Sequence, residues 1–239
     1  MFEGARCESA GPLPRSGTFG RVTAPDLRTE KRLLRSGHTR VLCVDEVGRG
    51  ALGGPASAGV VVIDASVRRP LDGVRDSKSL SPGAREELVP RIEKWSVASA
   101  VGHSSAAEVD EYGITAALRL AAHRALVQLP VDVDVVLLDG SHDWFTPPVE
   151  ADLFLALPTD GDPLPPVVTK VKADQSCAGV AAASVLAKVE RDALMVALAR
   201  QHPHYGWDEN KGYASPSHLD ALRRFGPCIE HRRSWNLPV

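Results

Sequence analysis

Residues 44–50 read VDEVGRG, and they follow the apolar run Val41-Leu42-Cys43-Val44. Two carboxylates stand side by side at the end of a segment patterned for burial, with a glycine-flanked arginine directly behind. Consecutive residues of a regular strand face opposite ways, so adjacent acids share one site only where the strand ends or bulges. Gly48 and Gly50 permit irregular backbone there. Alone, the pair reads as a strand end turning into solvent.

Working outward, β-branched runs at 40–46 and 57–64 joined by a Gly-rich connection predict a hairpin. Upstream, PDLRTEKRLLRSGH starts with Pro25 and Asp26, shows an apolar side through Leu27, Leu33 and Leu34, and stops at Gly37, so it reads as a short helix. Downstream, Ser81-Pro82 opens a helix to Trp95 in which Pro90 predicts shortening or a kink. SVASAVGHS is a third strand, and 106–129 a helix in two pieces broken near Gly113. VDVVLLDG and PPVVTKVKAD are further strands. A long Ala-rich helix from Asp174 and a last helix over 215–226 close the pattern. Antiparallel strands followed by alternating helix and strand predict an α/β fold, a mixed β-sheet with helices on its faces and a small helical C-terminal segment. Residues 1–24, rich in Gly, Ser, Pro and Arg, read as a mobile tail, and 25–239 as one domain.

Asp139 ends VVLLDG, and Asp174 stands where VVTKVKA meets the long helix. Each has an ordinary explanation, an Asp-Gly turn and an N-cap. Together with Asp45 and Glu46, however, they place acids at the ends of three apolar strands, where α/β sheets build sites. Four convergent carboxylates must protonate or bind cations. All-oxygen ligands select hard ions, Mg²⁺ or Mn²⁺. Two such ions roughly 4 Å apart suit in-line displacement at phosphorus, which makes phosphodiester hydrolysis the natural reaction. Gly48-Arg49-Gly50 offers closely approachable backbone and a guanidinium for phosphate. Lys78, Lys170 and Lys172 are candidate phosphate contacts, and Tyr213, in NKGYASPSH, a candidate stacking surface.

With 239 residues, 44% hydrophobic and 24% charged, the composition is that of a globular chain. A net charge of −2 argues against a generally basic nucleic-acid coat and leaves room for a local basic groove. Scattered cysteines without a CxxC pair suggest neither zinc nor a redox couple. MFEGARCESAG has no apolar signal core, and no apolar stretch approaches membrane-spanning length, so a soluble cytoplasmic protein is expected. GRGALGG lacks the spacing and the following helix of a dinucleotide-binding turn.

VDEVGRG, DSKSLS, LLDG, KADQSCAGVAAASVLAKVERD and NKGYASPSH occur in the order found in bacterial ribonuclease HII, and the resemblance runs from about Arg40 to Trp235. It implies a ribonuclease H-like fold and a metal-dependent endonuclease. The implied substrates are RNA in RNA–DNA hybrids and single ribonucleotides embedded in duplex DNA, as in ribonucleotide excision repair. Cleavage would fall 5′ of the ribonucleotide and leave 3′-hydroxyl and 5′-phosphate ends. Asp45, Glu46, Asp139 and Asp174 resemble the family's metal-binding acids. Gly48, Arg49 and Gly50 resemble its loop for the ribose 2′-hydroxyl, the group that distinguishes RNA from DNA. Tyr213 resembles its junction tyrosine. The family's usual DEAGRG and KGD are DEVGRG and KAD here, so Val47 and Ala173 are small enlargements beside the acids, expected to be tolerated. Ala116 and Leu118 stand where the family often has polar residues, so that helix reads as core-facing. A sliding clamp is a candidate protein partner, and monomer the default state. The alternatives are a non-catalytic hybrid-binding module, disfavoured because all four acids are present, and another nuclease or phosphotransferase of the superfamily, which need not keep Gly-Arg-Gly with the tyrosine loop.

Overall fold

The computed structural model describes residues 24–148 and 164–238. All but the last residue of the expected N-terminal tail lies outside them. Five strands form one sheet: β1 (Val41–Val47), β2 (Ala56–Ile63), β3 (Ala98–Ser104), β4 (Val135–Asp139) and β5 (Val167–Lys170). Their order is β3-β2-β1-β4-β5. The β1–β2 and β2–β3 pairs are antiparallel, and β1–β4 and β4–β5 are parallel. This is the expected mixed sheet, with the expected antiparallel hairpin on one side and two parallel pairings on the other.

Alternation along β1 explains its position. Val41 and Cys43 enter one core, with residues of α1 (Arg28–Arg35), α2 (Pro82–Trp95) and α5 (Ala178–Gln201); Leu42 and Val44 enter another, with α3 (Ala106–Leu126). A strand buried on both faces must be apolar throughout. In α5, every residue from Ala178 to Ala187 is buried. Its alanines allow a close approach to the sheet, and a Cβ on Gly59 of β2 would collide with the Ala183 carbonyl.

Local signals place the helix ends. The Ser81 hydroxyl accepts from the Ala84 N–H, and Ser105 forms a reciprocal capping box with Glu108. Gly113, at φ 78° and ψ 158°, breaks α3 where predicted. Pro90 does not shorten α2, which runs on to Trp95. Its ring lies on the exposed side, so the hydrogen bond it forfeits falls where water can replace it.

The expected strand over 165–174 and the long helix after it need correction. β5 stops at Lys170, paired with Asp139 at the last residue of β4, and beyond that it has no neighbour to pair with. Lys172 turns left-handed at φ 56°, Ala173–Ser176 makes a one-turn helix, α4, and an extended Cys177 separates it from α5. A C-terminal cluster of Met195, Tyr205, Trp207 and Leu222 joins the end of α5 to α6 (Trp207–Asn210) and α7 (Pro216–Phe225).

Candidate active site

The acids meet in a way the sequence did not anticipate. β1 neither ends nor bulges at 45–46: Asp45 pairs with Gly59, Glu46 with Ala58 and Val47 with Ser57. Asp45 and Glu46 therefore face opposite sides of the sheet. Asp45, on the α5 side, is buried near the Ser184 hydroxyl, which donates to Ser77 Oγ at 2.9 Å. Glu46, on the α3 side, shares a cleft of about 480 Å³ with Arg49, Thr115, Asp139 and His142. Asp139 joins the two. It follows Leu138, the partner of Val44 across the β1–β4 pair, and is the last residue of β4, so groups on either face meet around the end of the strand.

Asp139 is also the hub of the electrostatics. Its charge raises the pKa of Asp45, Glu46 and Asp174 alike. In each of the three, burial is the larger cause of the rise, and Asp45 is held well above the ordinary carboxylate range. Glu46 feels opposing help from Arg49, 3.5 Å away, and Asp174 from Lys78. One Asp139 oxygen accepts from the Ala173 N–H at 2.6 Å and lies 3.4 Å from the Asp174 N–H, which fixes α4 and hence Asp174. As the side chains stand, no three of the described His, Cys, Asp or Glu residues are gathered tightly enough to hold an ion. The backbone adjacency of Asp45, Asp139 and Asp174 is nonetheless in place.

Of the predicted cations, Lys78 sits beside the acids in a 3-10 turn capped by Asp76. Lys170 does not: its ammonium donates to Thr29 Oγ1 at 2.9 Å and lies 3.3 Å from Cys177 Sγ, where it braces α1 against β5. Lys172 is exposed, and the left-handed turn it makes is a matter of backbone. Leu118 is buried in the core as expected, but Thr115 from the same helix lines the cleft. Thr115 and Ser184 are polar site residues that the sequence reading missed. Ser184 had a signal, a lone hydroxyl in an alanine run, and Thr115 had none.

Gly48 and Tyr213 are brought together. Gly48 takes φ 83°, and its N–H donates to the Tyr213 hydroxyl at 3.2 Å. Gly50 is exposed beyond it. A directed chain of hydrogen bonds holds Tyr213 from behind. Its carbonyl can only accept, so His218 Nδ1, 2.9 Å away, carries a proton. His218 Nε2 then accepts from Trp207 Nε1 at 3.2 Å and from His231 Nε2 at 3.0 Å. His231 Nδ1 in turn accepts from the Cys228 N–H at 3.1 Å. Burial first, then His218, pushes the His231 pKa down to about 4, consistent with the neutral ring this chain requires.

A five-stranded mixed sheet with acids grouped around the end of its central parallel pair has the ribonuclease H-like fold. A family model described as ribonuclease HII matches residues 42–237. Curated relatives agree: the chain is 44% identical over 213 residues to ribonuclease HII of Streptomyces avermitilis, covering 88% of this chain and 84% of the relative. It is 44% identical over 196 residues to that of Nitrosococcus oceani, covering 82% and 88%. Among solved structures it is similar to ribonuclease H2 from Pyrococcus horikoshii OT3, at TM-score 0.60 and 26% identity over 84% of this chain and 95% of that one. It is similar also to the ribonuclease HII of the PCNA complex from Archaeoglobus fulgidus, at TM-score 0.61 and 26% identity over 82% and 93%. The chain belongs to the ribonuclease HII family; it is a ribonuclease H, an endonuclease hydrolysing RNA paired with DNA.

Proposed function

We propose that this chain incises 5′ of single ribonucleotides embedded in duplex DNA, as well as cutting the RNA strand of hybrids, and leaves 3′-hydroxyl and 5′-phosphate ends. One observation carries the reading: Asp45, Glu46 and Asp139 stand at the ends of the paired strands β1 and β4, Asp139 fixes the turn that carries Asp174, and Gly48, just behind β1, donates to Tyr213.

The donor set fits hard divalent cations. Its ligands are all carboxylates, and burial and mutual repulsion have already raised the pKa of three of them. Asp45, Glu46, Asp139 and Asp174 would hold Mg²⁺ or Mn²⁺, gathered by side-chain rotation on a backbone that is already adjacent. Bound there, two such ions supply an activated water and stabilisation of the leaving oxygen. The rest falls to the chain itself. Gly48 and Gly50 let the backbone approach the ribose and read its 2′-hydroxyl. Arg49, half-exposed and paired only with Glu46, is free to exchange that partner for a phosphate. Lys78 and Lys172 face the backbone of the nucleic acid, and Tyr213 packs at the RNA–DNA junction.

No described helix is long and apolar enough to cross a membrane; DNA as substrate supports a cytoplasmic activity. The Archaeoglobus relative, solved in a PCNA complex, supports a sliding clamp as a docking partner.

The test is cleavage, with Mg²⁺ or Mn²⁺, of duplex DNA carrying one ribonucleotide beside all-DNA and all-RNA duplexes. We expect a single cut 5′ of the ribonucleotide and neither control cut. Equal cutting of the all-DNA duplex would overturn the reading.

A further inference from the structure

Gly48 has no side chain, and the space where one would sit is taken. A Cβ built there runs into the Arg191 guanidinium and the Pro55 carbonyl. Arg191 comes from α5, seven residues beyond Ser184 on the same helical face, and is fully buried. Its Nε donates to the Pro55 carbonyl at 2.8 Å, one terminal nitrogen to Lys211 at 3.0 Å and the other to Gly53 at 3.2 Å. Its Cζ stands 5.4 Å from the centroid of the Tyr213 ring. Arg232, also fully buried, works from the other side: its terminal nitrogens donate to the carbonyls of Arg49 at 3.0 Å and Gly54 at 3.2 Å.

Neither guanidinium has a carboxylate partner among the described residues. Asp192, next to Arg191 in the chain, turns its carboxylate to Lys188 at 2.8 Å and Arg85 at 3.9 Å. A buried cation without an acid is costly. Burial lowers the pKa of both arginines, that of Arg232 to about 10. What the arginines obtain in return is a set of backbone carbonyls, four of them between Arg49 and Pro55 and the fifth at Lys211, two residues before Tyr213.

We propose that Arg191 and Arg232 are positioning residues for ribose recognition: they fix the backbone of Gly48–Pro55 and the Tyr213 ring in one rigid relation, so that the loop meets a 2′-hydroxyl. The inference rests on the role given above to Gly48–Gly50. It depends on the planar fork of arginine, which reaches carbonyls in several directions at once. A lysine keeps the charge and loses that geometry. If the two residues served only to attract the nucleic-acid backbone, lysine would suffice.

The experiment is binding, by fluorescence anisotropy with Mg²⁺, of two duplexes that differ by a single 2′-hydroxyl. An Asp139→Asn background prevents cutting. Arg191→Lys and Arg232→Lys should each lose about tenfold of the preference for the ribonucleotide duplex while all-DNA affinity stays within about twofold. Adding Tyr213→Phe to Arg191→Lys should then cost little more, since both act through one unit. Circular dichroism and thermal melting check the fold, and if Arg191→Lys does not fold, Arg232→Lys decides the question. Preference retained in the folded lysine variants overturns the proposal, as does an equal loss on both duplexes. A parent protein with no preference at all overturns the role of Gly48–Gly50 and this inference with it.

Discussion

On one face of the Gly48–Gly50 loop lie carboxylates with little to neutralise them; behind the same loop lie two arginines with no carboxylate partner among the described residues. Direct pairing of the two sets would have neutralised both and left no site. The loop keeps them apart, and the Arg49–Glu46 contact at 3.5 Å is the one ion pair drawn between loop and acids. The two groups differ in how they are satisfied. Burial and repulsion raise the pKa of Asp45, Glu46 and Asp174, and Glu46 and Asp139 line an open cleft, so a ligand has something to relieve. Arg191 and Arg232 are shut off from solvent and given to carbonyls. Mutually repelling acids around a strand end mark where chemistry enters; buried cations given to backbone carbonyls, even with Arg232 Nε left unpartnered, mark what holds the chemistry in place.

The largest test of this contrast is Asp139→Asn. Cleavage should fall about a thousandfold while the fold keeps or gains stability. The amide can still accept from Ala173, and a repelling charge is gone. A drop in melting temperature would mean that the acids hold the fold, and the contrast would break. Arg232→Ala should do the reverse, losing about 3 kcal/mol of stability in urea unfolding because the buried Gly54 carbonyl and the part-buried Arg49 carbonyl lose their donor. An unchanged urea midpoint would remove Arg232 from the scaffold. Gly48→Ala joins the two sides. Its φ of 83° and its collision with Arg191 should cost about 2 kcal/mol and slow cleavage as well, measured by melting and by kcat/KM. A fully active, fully stable variant would show the loop to be less constrained than its glycine suggests.

Glu30, a buried acid outside the site, is a useful control. One of its oxygens accepts from the Gly179 N–H at 2.9 Å, and burial raises its pKa from 4.5 to about 7. The stabilisation contributed by a raised carboxyl is fully present below its unfolded pKa and lost as pH rises through the folded value. Glu30→Gln should therefore be about 3 kcal/mol more stable than the parent at roughly pH 8, with the advantage gone near pH 4. A pH-independent difference in melting temperature would show that Glu30 stays ionised.

Much of this was legible in the chain. The β1–β2 hairpin and the break of α3 at Gly113 follow from hydrophobic period and from glycine, which act locally. The grouping of the acids was legible too, because each stands at the end of an apolar run. The manner of their meeting was not. A strand end was expected at Asp45–Glu46, yet the pairing runs on to Val47, and it is β4 that ends, which lets the two faces share Asp139. Lys170 looked like Lys172 until α1 packed against it. Arg191 lay in a helical pattern with nothing to show whether its partner would be an acid, solvent or carbonyls.

By itself, then, the sequence determined the strands, the helices, the acids and the glycine loop, because side-chain period, capping and conformational freedom are properties of neighbours along the chain. Only the tertiary structure decided which strand would stop, which cation would be spent on the scaffold and which left beside the acids. Those outcomes depend on residues far apart in sequence competing for the same carbonyls and the same buried space.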